Sequence, residues 1–354
     1  MNHTEQIQML AEQVRLAAEV GTPLAVQGTN SRAFYGREVA GEPLSTTALS
    51  GIVSYEPSEL VVTTGAGTPL RDLERILASE GQRLAFEPPH FSPSATLGGA
   101  VGCGLSGPGR PFVGALRDYV LGVRCINGRG QVLVFGGQVM KNVAGFDLSR
   151  LLAGSLGTLA VLLEVSLKVL PLVEIEQTLV RECDRQQALA RMTEVCSRAL
   201  PVTALAHWDG RLYLRLSGAE PAVVAAAAEL GGEPLSSGTK IWADLKEQRL
   251  AFFDRDRPLW RLSLPPAAPM PDLGGDWLID WGGAQRWLYS DDGAEAIRAA
   301  AMALGGHAQL FRGGDRHGQV FSSLPPAMLA LQQRLKQAFD PAGILNHGRM
   351  YREL

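Results

Sequence analysis

The passage "TLGGAVGCGLSGPGRPFVG", residues 96 to 114, sets Gly98, Gly99, Gly102, Gly104, Gly107, Gly109 and Gly114 in one short span and breaks it with Pro108 and Pro111. Neither a long helix nor a core strand tolerates that density, because glycine brings backbone entropy that folding must remove and proline withholds an amide donor. What the run does permit is close approach of the main chain to another body, where a Cβ would clash. Taken alone it reads either as a flexible lid or as the wall of a site for a flat or extended ligand. Gly102-Cys103-Gly104-Leu105-Ser106-Gly107 fits G-x-G-x-x-G by letter. The dinucleotide fingerprint, however, needs a strand before it and a helix opening at the second glycine. "SATLGGAV" is no core strand, and the two prolines deny a helix its hydrogen bonds beyond a first turn. "VVTTGAGTPL" does stand between a strand and a helix, yet Leu70 occupies the place of the third glycine. A Rossmann site is therefore rejected, and the chain has no Walker A loop.

A second loop asks for explanation. In "PLAVQGTNSRAF" a short apolar strand stops in Gly28, Thr29, Asn30 and Ser31, and the only charge is Arg32. Such residues make ordinary turns for conformational reasons. They also form anion nests, in which successive main-chain N–H groups point inward together and hold a phosphate or pyrophosphate without any lysine.

The rest of the chain sets limits. Its 354 residues exceed the usual size of one core, so two domains are expected. A formal net charge of −3 and the lack of any Lys/Arg-rich run exclude a nucleic-acid backbone as partner. Cys103, Cys125, Cys183 and Cys196 are scattered, without metal-ligand or iron–sulfur spacing, and read as reduced thiols of a cytoplasmic protein. The opening "MNHTEQIQMLAEQVRLAAEVG" has helical spacing and no apolar h-region, so it is not a signal peptide, and no run reaches bilayer length.

Local pattern predicts a small sheet from "PLSTTAL", "GIVSYEP" and "ELVVTTGAG". A helix over "TPLRDLERILASEG" follows, capped by Thr68, with Leu70, Leu73, Ile76 and Leu77 on one face. Next come a hairpin turning at Asn127-Gly128-Arg129-Gly130, a short helix in "FDLSRLLAGS" and a core-to-edge strand "GTLAVLLEVSLKVLPL". Pro171 ends that strand and marks a domain boundary. Beyond it two passes of helices and hairpins, with "PPAAPMP" as a loop, predict helices stacked on one face of an antiparallel sheet. The helix "PPAMLALQQRLKQAF" leads into the tail "DPAGILNHGRMYREL".

The order "VQGTNS", "TLGGAVGCG", "VGALRDYVLGVRCINGRGQVL", "KNVAGFDLSRLLAGSLGTLAVLLEVSLKVLP" and "FDPAGILNHGRM" resembles the FAD-binding domain of the vanillyl-alcohol-oxidase, or PCMH, type. Within that group it is similar to the flavin-binding E subunits of bacterial glycolate oxidases. The resemblance implies an α+β fold: a PCMH-type domain of two α+β subdomains over residues 1–172, and a second, ferredoxin-like α+β domain with an antiparallel sheet over 173–320. A C-terminal helix and tail, 321–354, would return to the first domain.

Carried over residue by residue, the resemblance implies that Gly28, Thr29, Asn30 and Ser31 give amides to the pyrophosphate of FAD. Thr96, Gly98, Gly99, Cys103 and Gly104 would pass along the flavin and diphosphate. Asp118 and Val120 would lie near the adenosine half, and Gly157, Thr158 and Val161 would line the cofactor. It further implies removal of a hydride from the Cα of a 2-hydroxy acid, glycolate becoming glyoxylate. One-electron carriers must then lie in another polypeptide, so a second, catalytic FAD subunit and an iron–sulfur subunit are implied, in a complex peripheral to the inner membrane. Membrane contact would come only through these partners.

Departures from the family bear on turnover. Leu156 stands where Glu often precedes the glycine, the tail reads Asn346-His347-Gly348 rather than "NPG", and a His-rich metal motif is absent, leaving only His307 and His317 in "GGHAQLFRGGDRHGQVF". These argue against turnover by this chain alone. The pyrophosphate loop has no histidine, so FAD is expected to be non-covalent, without a link at Cys103. His90 in "EPPHF" is the histidine to test as an acid–base group. A stand-alone flavoenzyme and a flavin-free scaffold remain the alternatives.

Overall fold

Asn2 and Glu5 start the first helix, His3–Val20, with a reciprocal capping box: the Asn2 side chain accepts from Glu5 N at 2.9 Å and the Glu5 carboxylate from Asn2 N at 2.8 Å. Ile7, Leu10, Val14 and Ala17 form its buried stripe, and Gly21, at φ 71°, ends it in the left-handed conformation. The computed structural model describes residues 2–137 and 147–354. The "KNVAGF" stretch used in the resemblance lies outside these residues, and the helix expected from Phe146 is described as Leu148–Leu151 behind an Asp147 cap. The chain divides into two compact units: one of Met1–Leu105, Ala115–Pro171 and Arg316–Leu354, the other of Ser106–Gly114 and Leu172–Asp315.

In the first unit a five-stranded antiparallel sheet runs in the order Ile52–Glu56, Val61–Gly65, Ala160–Lys168, Val120–Asn127, Val132–Gly136. The Ala160–Lys168 strand lies in the middle and is buried along most of its length, which is why its sequence is a nearly unbroken apolar run. Beside this sheet, Leu24–Gln27 pairs in parallel with Glu42–Ser45, and Leu24 bridges in parallel to Leu345 near the C-terminus. The strand in "PLSTTAL" thus belongs to this pair and not to the larger sheet. Gly41 makes the pairing possible, since a Cβ there would stand 2.9 Å from the Leu24 and Ala25 main chain. Side chains from the first helix, both sheets and the tail, among them Leu10, Leu44, Val161 and Ile344, share one core cluster.

Two local expectations change. Thr68 Oγ1 donates to Gly65 O at 2.7 Å instead of capping the Leu70–Ser79 helix, whose N-cap is Pro69. Ile76 is 37% exposed, because positions 70, 73 and 77 define the buried face and position 76 falls outside it.

The second unit is an eight-stranded antiparallel sheet, ordered Glu233–Pro234, Ile175–Glu182, Arg211–Gly218, Val202–Trp208, Asp276–Asp280, Gln285–Tyr289, Leu259–Ser263, His307–Arg312. The helices Arg185–Cys196 and Glu220–Leu230 pack one cluster against its first half, with Met192 and Val223 fully buried among Leu205, Leu214 and Ile279. The proline-rich stretch is a loop. The fully buried Arg286 guanidinium holds it by donating to Pro269 O at 2.6 Å and to Ala268 O, and burial pulls that group down to about 10.

Candidate functional site

The strand Leu24–Gln27 delivers the chain into a turn whose main chain is left open. Asn30 has φ 57°, the left-handed backbone that a nest sets beside right-handed neighbours. Its side chain and that of Thr29 are used internally: Asn30 Nδ2 donates to Gln27 Oε1 at 2.6 Å and Thr29 Oγ1 to Ser94 O at 2.9 Å. Among the described residues the amides of Gly28, Thr29, Asn30 and Ser31 have no acceptor, and all four residues line a cleft in the first unit. Four unspent main-chain donors are the kind of group that an anion accepts from.

The helix Leu97–Cys103 forms the facing wall, inside the passage that sequence pattern read as glycine-rich loop. It is short because Thr96 caps it, accepting from Gly99 N at 3.3 Å, and Gly104 closes it at φ 64°. Its glycines have separate duties. A Cβ on Gly28 would reach Thr96 Oγ1 at 2.5 Å, and one on Gly98 would meet Ala66 Cβ at 2.8 Å, so both permit close packing. Gly102 has no atom within 4 Å of such a Cβ and faces the cleft. The amide of Gly98 is already spent on Ala66 O at 2.7 Å.

The third wall is the turn "GSLGT". Leu156 and Gly157 both take positive φ, 54° and 72°. Leu156 N donates to Gly102 O at 2.8 Å, which ties the turn to the helix wall. From the far end of the chain Asn346 enters: Oδ1 accepts from Val26 N at 2.8 Å, and Nδ2 donates to Leu156 O at 2.7 Å.

Charge in the cleft is one-sided. Arg32, 4% exposed, donates to Ser31 Oγ at 3.2 Å and to Pro89 O, while Arg349 donates to Tyr35 O at 3.2 Å. Among the described residues that line it there is no carboxylate or imidazole. Burial pushes the Cys103 thiol up, partly opposed by Arg32 and Arg349, and burial lowers Arg349. The thiol is therefore neutral near pH 7.

Of the residues singled out by sequence, Gly28, Thr29, Asn30, Ser31, Thr96, Gly98, Gly99, Cys103 and Gly157 come together around this cleft. Five others lie off it. Val161 packs in the core, because alternation along the strand turns Ala160 and Leu162 to the cleft instead. Thr158 is spent on structure, donating to Ser155 O at 2.7 Å. Gly104 is the helix cap, where a Cβ would press on Gly154 Cα at 2.9 Å. Asp118 caps Ala115 N at 2.8 Å, and Val120 is a buried strand residue opposite Leu167. His90 pairs with Glu74 at 3.2 Å and does not line the cleft. His307 opens a strand of the second unit, and His317, in the first, pairs with Glu38 at 3.2 Å. Arg349 and Asn346 were missed as site residues, for no local pattern announces a side chain that reaches back across most of the chain.

This architecture, with an open nest, a glycine-bare wall and a cationic lining, is that of a flavoprotein with a PCMH-type FAD-binding domain. The profile of the family described as FAD binding domain matches residues 3–136. Over 98% of both sequences the chain is 49% identical to glycolate oxidase subunit GlcE of Escherichia coli (strain K12), and it belongs to that family of FAD-binding oxidoreductases. Glycolate oxidase subunit GlcD of Bacillus subtilis (strain 168) is 30% identical over 44% of this chain and 33% of its own length. A solved structure of alkyldihydroxyacetonephosphate synthase shares the fold, with TM-score 0.67 and 14% identity over 95% of this chain and 73% of that one. Among the described residues no helix is long and apolar enough to cross a membrane, and no His/Cys/Asp/Glu group could hold a metal ion.

Proposed function

We propose that this chain is the FAD-carrying E-type subunit of a multi-subunit 2-hydroxy-acid oxidase that takes part in oxidising glycolate to glyoxylate, with electrons passed to an iron–sulfur partner subunit. The observation that carries the reading is the set of four unspent amides at Gly28 to Ser31, residues that line the cleft. Those amides would hold the pyrophosphate, and each charge-assisted bond contributes about 1.5–3 kcal/mol. When bound, FAD supplies a two-electron acceptor for the hydride on the hydroxy-acid Cα. Gly102 leaves room along the helix wall, and Asn346 fixes the spacing between the nest strand and the Leu156 turn. Arg32 and Arg349 supply positive charge in a site that excludes counter-charge.

Because the cleft's own lining offers no carboxylate or imidazole among the described residues, the group that takes the hydroxyl proton must stand elsewhere, in this chain or in a catalytic FAD subunit. The visible spectrum of the gently isolated chain tests the reading first. Flavin bands, all released by acid precipitation, are expected; their absence makes the chain a scaffold. Anaerobic mixing with glycolate follows, and bleaching of the assembled complex is expected. Bleaching by a nicotinamide donor but never by glycolate, alone or in the complex, identifies a stand-alone reductase and sinks the assignment.

A further inference from the structure

The helix Pro326–Phe339 is packed down only at its C-terminal end. Lys336 and Phe339 are its buried residues, whereas nearer its start Met328 is 45% and Leu331 42% exposed. Pro326, whose φ is already helical, starts the helix without packing to hold it. Between these two exposed residues Leu329 reaches a cavity of about 390 Å³ within the first unit, lined also by Phe321, Leu324, Met350 and Tyr351. The walls are fixed. Arg37 donates to Gly318 O at 2.9 Å, to Gly348 O at 2.7 Å and to His317 O, which ties the segment before the helix to the tail. Phe321 stands edge-on to Tyr35 at 5.9 Å and lies 6.0 Å from Tyr351.

Charge around this cavity is biased. From Arg316 to Phe339 the sequence holds no Asp or Glu, in a chain whose net charge is −3. Arg334 and Arg352 are exposed and pair with no carboxylate among the described residues. Arg37 gives its hydrogen bonds to carbonyls, so its charge is not neutralised by them. Glu353 is the only carboxylate among the described lining residues, and Glu38 is taken by His317 at 3.2 Å. Scattered exposed apolar residues need no explanation. Here, however, Tyr, Phe, Met and Leu surround a concavity, Arg stands at its edge and acids are scarce, which is the make-up of an interface core.

We infer that this surface docks the iron–sulfur subunit of the proposed complex, through an apolar side chain that enters the cavity between flanking carboxylates. An apolar centre with a cationic edge selects a partner that is apolar at its centre and acidic around it. A concave wall suits a protruding side chain and not the flat face of a bilayer. Position selects which partner. Arg349 lines the FAD cleft, and the next residues, Met350 and Tyr351, line this cavity. Met350 Sδ also stands 4.0 Å from Thr158 Oγ1, next to Gly157 of the cleft. A chain seated here lies behind the cofactor wall, where electrons must leave. The inference deepens the proposed function and rests on it for the partner's identity; the shape and charge of the surface are independent of it.

Purification of the tagged full-length chain from its native host tests it, the catalytic FAD subunit and the iron–sulfur subunit recovered with it being quantified by mass spectrometry. Wild type is expected to bring down both. Leu331→Asp and Arg352→Glu are each expected to lower the iron–sulfur subunit per tagged chain about tenfold or more, with flavin absorbance per chain unchanged. Val224→Asp, on a residue 55% exposed in the second unit, is expected to leave recovery as it was. Raising salt from about 50 to 500 mM should weaken recovery by wild type more than by Arg352→Glu. Should Leu331→Asp lose its flavin and prove misfolded, Arg352→Glu decides. Unchanged recovery in Arg352→Glu, or loss of the catalytic FAD subunit alone, overturns the inference and leaves the multi-subunit reading standing. A wild type that brings down neither subunit sinks both. If that wild type instead floats with anionic vesicles, or sediments as a dimer that Leu331→Asp splits, the surface belongs to lipid or to a second copy. A colourless chain that recovers the iron–sulfur subunit, and loses it in the two variants, sinks the cofactor reading and not this surface.

Discussion

The side chain of Asn346 clasps Leu156 across most of the chain, Nδ2 donating to the Leu156 carbonyl at 2.7 Å, while its Oδ1 accepts from Val26 N at 2.8 Å. One amide group thereby joins the strand that feeds the nest to the turn that forms the opposite wall. Asparagine suits the place twice over, since its donor and acceptor match the two backbone groups and its φ of 40° is one that asparagine tolerates well. Asn346→Ala strands both groups, for a cost of about 1–3 kcal/mol. Asn346→Asp keeps the acceptor for Val26 N but sets a carboxylate oxygen against the Leu156 carbonyl, and should be at least as damaging. Thermal denaturation with and without added FAD checks this: both variants should melt earlier and gain less from FAD than wild type.

Gly102 separates cofactor space from fold stability. An added methyl meets no atom within 4 Å, and alanine favours a helix over glycine by about 0.5–1 kcal/mol. Gly102→Ala should therefore raise the melting temperature of the flavin-free chain while lowering its flavin content. Gly98→Ala, pressed against Ala66, should lower both. Melting curves and absorbance ratios on the stripped and reloaded variants distinguish the two glycines; equal behaviour would remove Gly102 from the wall.

The open turn at Gly28–Ser31 was legible in the sequence because everything it needs is local: a strand, a glycine, an asparagine at positive φ and no competing charge. A proline ending an apolar strand put the expected domain boundary at Pro171; the assignment of Ser106–Gly114 to the second unit had no such local mark. The side of the Ala160–Lys168 strand facing the cleft was not legible, since an unbroken apolar run carries no parity: Ala160 and Leu162 line the cleft, and Val161 lies in the core. Arg349 and Asn346 were hidden for another reason. Their value depends on which distant segments the tail meets, and 320 residues separate Asn346 from Val26.

His207 makes the second unit acid-sensitive. It is 3% exposed, its Nε2 meets Cys183 O at 3.0 Å, and Nδ1 is buried without a partner among the described residues. Protonation would thus place an N–H where nothing accepts it, and burial lowers its pKa below the ordinary 6.5. The unfolded chain then binds the proton first. Stability from this residue is complete above about pH 6.5 and falls with decreasing pH through the depressed folded value, by up to about 1.4 kcal/mol per pH unit. Urea midpoints at pH 7.5 and 5 should differ in wild type and differ less in His207→Gln; parallel shifts in the two proteins would show that another group is responsible.

Lys336 and Asp340 anchor the tail beside the turn at Leu156 and Gly157. The pair meets at 2.7 Å, and Lys336 Nζ also donates to Thr158 O at 2.7 Å and Leu345 O at 2.8 Å. Asp340 in turn accepts from Leu345 N at 2.8 Å and Ile344 N at 3.2 Å. Burial lowers the Lys336 pKa, with Asp340 opposing that shift, so the ammonium is kept charged by its partners and not by water. Removing one member leaves the other a buried charge without its counter-ion, at a cost of about 3–5 kcal/mol, whereas replacing both by apolar residues is far less damaging. Lys336→Met should therefore lower the urea midpoint more than Lys336→Met/Asp340→Leu. Because Lys336 holds the Thr158 carbonyl two residues after Leu156, the single variant should also lose flavin. A double variant that is weaker than the single one would mean that the main-chain bonds to Asp340, and not the ion pair, fasten the tail.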